Sequence, residues 1–245
     1  MIQLPIALQM YSLRRVFPTQ PLEAMMMAKE AGFRAIEFYG DQFDADFYAA
    51  LLRQSGMACA GWHIAIDTME NEFDRILKRC LLTGCKYAIV PIYRCDTPEE
   101  WVKFAERLNV LAEKFAPYGI KTGYHSHKSD FEVFDGVSAW DIVAQNTAPE
   151  VVLQLDTGNV GTANANVLDT LAKYPGRNQS VHFKPYHKDD PIAGIGKDQL
   201  PWKEIFEWCE GPGQTDFIVV EYEHDVDMKA MLNDTYSYLR SVRPV

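Results

Sequence analysis

The sequence predicts one closed (β/α)8 barrel, a single TIM-barrel domain over residues 1–245. Three observations carry that reading. Eight short apolar runs rich in β-branched and aromatic residues recur along the chain, and the stretches between them have helical spacing. The length of 245 residues is close to the roughly 250 that one complete barrel needs. Strict strand-then-helix alternation implies parallel strands with right-handed crossovers, because a tight hairpin cannot reach a parallel neighbour. A doubly wound sheet would show a glycine-rich phosphate turn after its first strand, but Tyr11 is followed by Ser-Leu-Arg-Arg.

In chain order the strand-like runs are Leu4–Tyr11, Ala35–Tyr39, Met57–Ile64, Tyr87–Ile92, Ile120–His125, Val151–Asp156, Ser180–Pro185 and Phe217–Tyr222. Between and after them lie helix-like segments such as Pro21–Ala31, Thr97–Phe115, Ser138–Asn146, Trp202–Cys209 and Val226–Leu239. Several open on Pro, Ser, Thr or Asp, which fit a cap or a first turn. No linker, low-complexity segment or tight repeat interrupts the pattern.

Hydrophobic residues make up 47% and charged residues 24% of the chain, an ordinary globular balance. A formal charge of -10, with no basic cluster denser than Lys184, His187 and Lys188, argues against nucleic acid as a partner. No apolar run reaches the roughly 18 residues of a membrane span, and the first residues lack the pattern of a secretory signal. Five cysteines form an odd set without C-x-x-C spacing, so reduced, buried thiols and a cytoplasmic location are expected.

The chemistry is expected at the carboxyl ends of the strands, where buried barrel strands should otherwise be apolar. Strand two ends with Glu37, strand three with His63, and strand five runs Tyr124-His125-Ser126-His127. Strand six ends in Asp156, strand seven in His182-Phe183-Lys184, and strand eight in Glu221-Tyr222-Glu223. Side chains alternate with period two, so His125/His127, His182/Lys184 and Glu221/Glu223 should each face one way.

A lone strand-end Asp or His is more often a loop cap, and a buried Glu often pairs with Lys or Arg. Several such groups converging without matched cations would repel unless a metal ion sat among them. Asp156, His182 and Glu221 are the expected ligands, with His125 or Glu132 as the fourth. Mixed imidazole and carboxylate donors suit one divalent ion of manganese, zinc, cobalt or iron. Glu37, His63 and Glu223 divide between substrate contact and support of the ligands. Trp62, Trp140, Trp202 and Tyr39 could stack on a sugar ring, although core packing is the commoner use of such residues.

These residues resemble the xylose-isomerase-like barrel superfamily, in particular its sugar phosphate isomerase/epimerase branch, which includes tagatose epimerases and inosose dehydratases. The resemblance covers essentially the whole chain. It rests on Ile36-Glu37-Phe38-Tyr39-Gly40, GYHSHKSDFEVF from Gly123, LDTGN from Leu155, VHFKPY from Val181, IGKDQLPWKEIF from Ile195 and VVEYE from Val219. It implies a single divalent ion held from strands five to eight, with Asp156, His182 and Glu221 at the matching positions. Strand five departs from the epimerases, placing His125 and then His127 where they carry a metal-bound Glu and another polar group. The loop Ile195-Gly196-Lys197-Asp198 departs as well, where many relatives have Gly-x-Gly and an acid.

The expected reaction is proton transfer next to a carbonyl of a sugar or sugar-derived ketone through an enediolate, with the metal as Lewis acid. Glu221 or a neutral His127 would be the base. Lys184, Tyr124, Glu37 and His63 would hold hydroxyls. The primary expectation is an isomerase or epimerase, with a dehydratase or keto-glycoside lyase as the alternative. A metal-dependent hydrolase is disfavoured because strand one has Gln9-Met10-Tyr11 rather than a histidine pair. A carbohydrate-binding barrel that has lost catalysis is the less favoured, non-enzyme rival, and pairing into a homo-oligomer is compatible with the family resemblance.

Overall fold

The computed structural model describes residues 4–243. Eight parallel strands are observed: β1 Ile6–Gln9, β2 Ala35–Tyr39, β3 Ala58–His63, β4 Tyr87–Val90, β5 Lys121–His125, β6 Val152–Gln154, β7 Ser180–Phe183 and β8 Phe217–Val220. Their neighbour order is β6-β5-β4-β3-β2-β1-β8-β7. The remaining seam, β6 to β7, is joined at the single bridge Asp156↔His182. There the His182 N–H donates to Leu155 O at 2.8 Å, so the cylinder closes at its mouth. Within the described residues this is one (β/α)8 domain.

Each observed strand lies inside the expected run and is usually shorter. Strand one stops at Gln9 because the Gln9 side chain accepts from the Tyr11 N–H at 3.1 Å, starting a 3-10 turn at Met10–Leu13. The outer layer includes α1 Pro21–Ala31, α2 Ala45–Ser55, α3 Ile66–Asn71, α4 Phe73–Thr83, α5 Pro98–Phe115, α6 Ala139–Asn146, α7 Thr157–Thr162, α8 Val167–Ala172, α9 Trp202–Glu210 and α10 Met228–Val242. The expected caps act as such: Thr97 and Glu100 form a reciprocal box on α5, and Ser138 accepts from the Asp141 N–H on α6. The structure adds a short antiparallel hairpin, Val133–Phe134 with Val137–Ser138, between β5 and α6.

Period-two alternation divides the strands into two sets. Ile6, Leu8, Ile36, Phe38, Trp62 and Tyr124 join the large apolar cluster between strands and helices. The other set fills the cylinder in layers. Ala7, Ala35, Ala60 and Val219 form one apolar layer, and Tyr87, Ile89 and Val152 another. Above them Gln9, Glu37, His63, His125, Gln154 and His182 are all buried, a polar layer inside a protein core.

Two glycines set the approach distances around that layer. A Cβ on Gly61 would lie 2.6 Å from Glu37 Oε1. A Cβ on Gly123 would lie 2.2 Å from Val152 O, a backbone atom of the next strand. Gly123→Ala therefore forces β5 and β6 apart, and we expect it to destabilise the protein by about 2–3 kcal/mol in urea unfolding. An unchanged midpoint would show that the strands do not need this close approach.

Candidate metal centre and active site

The polar layer is ordered from below by a chain of donors and acceptors. The Tyr11 N–H occupies Gln9 Oε1, so the Gln9 amide must turn its NH2 to Glu37 Oε2, at 2.7 Å. Glu37 is fully buried, and as an ionised carboxylate it can only accept. Gln154 therefore presents its Nε2 to Glu37 Oε1 at 2.9 Å and to Ser180 Oγ at 2.7 Å. Its Oε1 is left facing His63 Nε2 at 2.7 Å and His125 Nδ1 at 3.0 Å.

An acceptor at those positions fixes the tautomers. His125 carries its proton on Nδ1, which leaves the Nε2 lone pair directed to Asp156 Oδ2, 3.7 Å away. His182 donates from Nε2 to Glu37 Oε2 at 2.6 Å, so its Nδ1 faces Glu221 Oε2 at 3.1 Å and Asp156 Oδ2 at 4.0 Å. One donor atom each from His125, Asp156, His182 and Glu221 lies within 4.8 Å of the others, and all four residues are buried.

Asp156 has two uses, one for each oxygen. Oδ1 accepts from the Asn159 N–H at 2.7 Å and caps α7. Oδ2 is buried and has no hydrogen-bond partner among the described residues. An orphaned carboxylate oxygen beside two imidazole nitrogens and a second carboxylate is what a divalent cation would satisfy. The residues present fit such an ion.

The electrostatics agree. Burial alone would depress the His182 imidazolium, but the Glu37 and Glu221 carboxylates push its pKa up to about 10. Burial raises Asp156 to about 6, with Lys184 opposing and Glu221 adding to the rise. For Glu221, Lys184 and His182 outweigh burial and hold it at about 2. Burial, together with the neighbouring imidazoles His182 and His63, keeps His125 well below the ordinary histidine range. Without a cation, a proton on His182 is the charge that lets two carboxylates share this space.

His125 and Glu221 of this group border a cavity of 380 Å³ whose wall also includes Tyr11, Tyr39, His63, His127 and Glu223. Lys184 reaches the rim and pairs with Glu223 at 2.7 Å, while Asp156 and Glu221 lie near enough to raise it above the usual lysine range despite burial. His127 is half-buried with Nδ1 lacking a partner among the described residues, and burial and Lys184 lower its pKa.

The structure thus brings together His125, Asp156, His182, Glu221, His127, Lys184, His63 and Glu223. Three expectations are corrected. Glu132 is exposed after the turn Lys128–Phe131 and stays outside the donor group, because that turn is pinned by the His127 N–H donating to Asp130 at 2.7 Å. Tyr124 points away from the cylinder, since its neighbour His125 points in, and packs on Trp101, Phe104 and Trp140. Glu37 has no exposed surface to offer a substrate and instead accepts from Gln9, Gln154, His63 and His182. Trp62, Trp140 and Trp202 are core residues, while Tyr39 does reach the cavity. Asp198 of the departing loop is structural: it accepts from the Tyr186 and Gly196 N–H groups and from Trp202 Nε1.

Sequence reasoning missed Gln9 and Gln154. Both sit at strand ends on the inward phase, two residues from Tyr11 and Asp156, and that phase was the available signal.

Comparison with known proteins bears on this arrangement. The sequence pattern described as "Xylose isomerase-like TIM barrel" matches residues 26–242. The chain belongs to this family. The chain is 28% identical over 156 residues to an inosose dehydratase of Bacillus licheniformis, covering 54% of this chain and 50% of that protein. The chain spans about half the length of the curated relatives it matches. Among solved structures of the fold, a sugar phosphate isomerase/epimerase from Parabacteroides distasonis superposes with a TM-score of 0.84 at 18% identity, over 98% of this chain and 95% of that one. An IOLI protein with a bound zinc atom superposes with a TM-score of 0.75 at 15% identity, over 97% and 96%. At such identities the last two likenesses are of fold.

Two predictions follow from this geometry. Gln154→Leu removes the acceptor that sets the His125 tautomer, and we expect divalent-ion affinity, measured by calorimetric titration, to fall about 10- to 100-fold. Retained affinity would mean that the amide does not position the ligands. Separately, burial raises Asp130 to about 7 against an unfolded value of 3.8. The fold favours its neutral form, so stability should decline as pH rises from about 4 to 7 and level off above. Asp130→Asn should remove that decline in urea midpoints measured across the same range.

Proposed function

We propose that the protein is a divalent-metal-dependent enzyme that removes a proton from the carbon next to a carbonyl in a sugar or sugar-derived ketone. The observation that carries this reading is the orphaned Asp156 Oδ2 among His125, His182 and Glu221, two of which, His125 and Glu221, also line an open cavity together with His127. Those four side chains would hold one ion of manganese, zinc, cobalt or iron. Bound there, it would supply Lewis-acid polarisation of the substrate carbonyl.

The chain's own residues do the remaining work. His127, whose imidazole lines the cavity, takes the proton. Lys184, fixed by Glu223, donates to a substrate oxygen and offsets charge developing there. His63 gives Nε2 to Gln154 and Glu37, which leaves Nδ1 to accept from a substrate hydroxyl. The walls of the cylinder limit water to the open side.

Elimination is the outcome this site supports best. The C–H bonding pair becomes a new C=C bond as the bond from the β carbon to its oxygen substituent breaks. His127 then passes its proton to the departing oxygen, releasing water or an alcohol. One base is sufficient for this sequence, whereas epimerisation needs acid/base groups on both faces of the reacting carbon. Strand five carries His125 where a second carboxylate would stand, which favours the single-base course. The sequence likeness to an inosose dehydratase points the same way.

Isomerisation or epimerisation is the second reading, supported by Glu221, which borders the cavity and could return the proton. A cytoplasmic setting suits either, since all five cysteines are free. No helix of the described residues is long and apolar enough to cross a membrane.

Incubating the metal-loaded protein with ketoses, inososes and 3-keto-glycosides in deuterated water, followed by NMR, separates the outcomes. Elimination gives an unsaturated ketone and a released fragment; epimerisation gives deuterium at one carbon of an otherwise intact sugar. His127→Asn should lower turnover about 10²- to 10⁴-fold with one bound ion per chain retained. Full activity in that variant would remove His127 from the reaction.

A further inference from the structure

We propose that this cavity takes an uncharged substrate, a ketone-bearing sugar ring with an apolar substituent such as an aryl or alkyl aglycone, and that Tyr11, Tyr39 and Ile92 form the subsite for that substituent. The inference names the substrate class of the reaction proposed above and rests on that reading. It starts from the two unlike halves of the cavity. The strands from β5 to β8 supply imidazoles and carboxylates. Apart from His63, the side from β1 to β4 is lined by Tyr11, Tyr39, Gly40, Ala65, Pro91 and Ile92.

Tyr11 is 39% exposed and Ile92 45% exposed, so both leave large apolar surfaces open at the mouth. The platform is also pre-ordered. The Tyr11 and Tyr39 rings meet edge to face at 5.2 Å, and the Arg14 guanidinium lies 4.8 Å from the Tyr11 ring centroid. Arg14 is itself anchored on the carbonyl oxygens of Tyr11 and Glu223. A cavity of 380 Å³ falls within the range of about 300–1,000 Å³ typical of small-molecule pockets, leaving room for a ring and a substituent.

Charge argues against a phosphate ester. Among the described residues no lysine or arginine lines the cavity, whereas Glu221 and Glu223 do. Lys184 at the rim can still donate to a neutral oxygen, but Asp156, Glu221 and Glu223 surround it and leave no net positive charge for a dianion, and Arg14 is held by two carbonyls. A phosphate dianion would need charge-assisted donors or an open helix N-terminus. The α7 terminus is capped by Asp156, and α3, which begins beside Ala65, carries Asp67 in its first turn. A neutral ring meets none of this repulsion, and an apolar substituent on it can lie against the tyrosines.

Unreactive probes test the inference independently of the chemistry. Phenyl β-D-glucopyranoside, methyl β-D-glucopyranoside and the 6-phosphate of the latter are titrated into zinc-loaded protein and followed by NMR. We expect the phenyl glucoside to bind about tenfold more tightly than the methyl glucoside, and the phosphate to bind more weakly than either. Tyr11→Ala and Ile92→Ala, both at exposed positions, should each bring the phenyl-to-methyl ratio towards one while leaving methyl glucoside affinity unchanged. Tightest binding by the phosphate, equal binding of the two glucosides, or a ratio unaltered in both variants would overturn the proposal. If the reaction reading fails instead, no ketone exchanges deuterium while these preferences persist.

Discussion

Glu37 is a carboxylate with no exposed surface and no lysine or arginine among its partners, and the geometry of the mouth depends on how its charge is met. Removing such a group from water costs several kcal/mol unless donors replace the lost hydration. Gln9, Gln154, His63 and His182 are those donors, and each is oriented by meeting an acceptor-only partner. The orientation then propagates upward. An amide that must give its NH2 to Glu37 can give only its oxygen to His125, and an imidazole that gives Nδ1–H below must show a lone pair above. One buried charge thereby sets which atoms of two histidines reach the candidate metal position.

The same layer explains why a cation fits there. Two imidazoles and two carboxylates converge and, among the described residues, the Lys184 ammonium at the rim is the lysine or arginine cation beside them. Protonating His182 relieves part of the repulsion, but it leaves Asp156 Oδ2 without a partner. A divalent ion would relieve both. In that respect Glu37 and such an ion would act on opposite sides of His182, one accepting its Nε2 proton and the other suited to its Nδ1 lone pair.

Much of this was legible in the sequence, for identifiable reasons. Strand count and strand order follow from alternating periods, which local residue chemistry dictates. His125, Asp156, His182 and Glu221 were visible because an ionisable residue at the end of a buried strand has few structural uses. What was not legible depended on phase and on neighbours across the barrel. Tyr124 differs from His125 by one residue and so faces the helices; composition alone cannot assign that phase. Glu132 lies close to the site in sequence, but its turn is fixed by Asp130 and leaves it in solvent. Glu37 looked like a substrate contact because its depth is decided by the bulge between Ile36 and Glu37 and by the space left at Gly61. Gln9 and Gln154 carry no charge, so their inward phase places them in the layer but only the network shows what they do there.

Barrel closure and the candidate site are also one problem rather than two. Every neighbouring pair of strands from β6 round to β7 shares a ladder of two or more residue pairs, but β6 and β7 share only the bridge between Asp156 and His182. The two residues holding that last seam are themselves members of the donor group. Arg177 reinforces it from below, donating to Val151 O and Ala144 O while its carbonyl accepts from the Leu153 N–H. A cation shared by Asp156 and His182 would tie the seam at its upper end as well. Ligand geometry and strand closure would then stabilise each other, and the unpaired carboxylate oxygen would be satisfied at the point where the cylinder is least stitched.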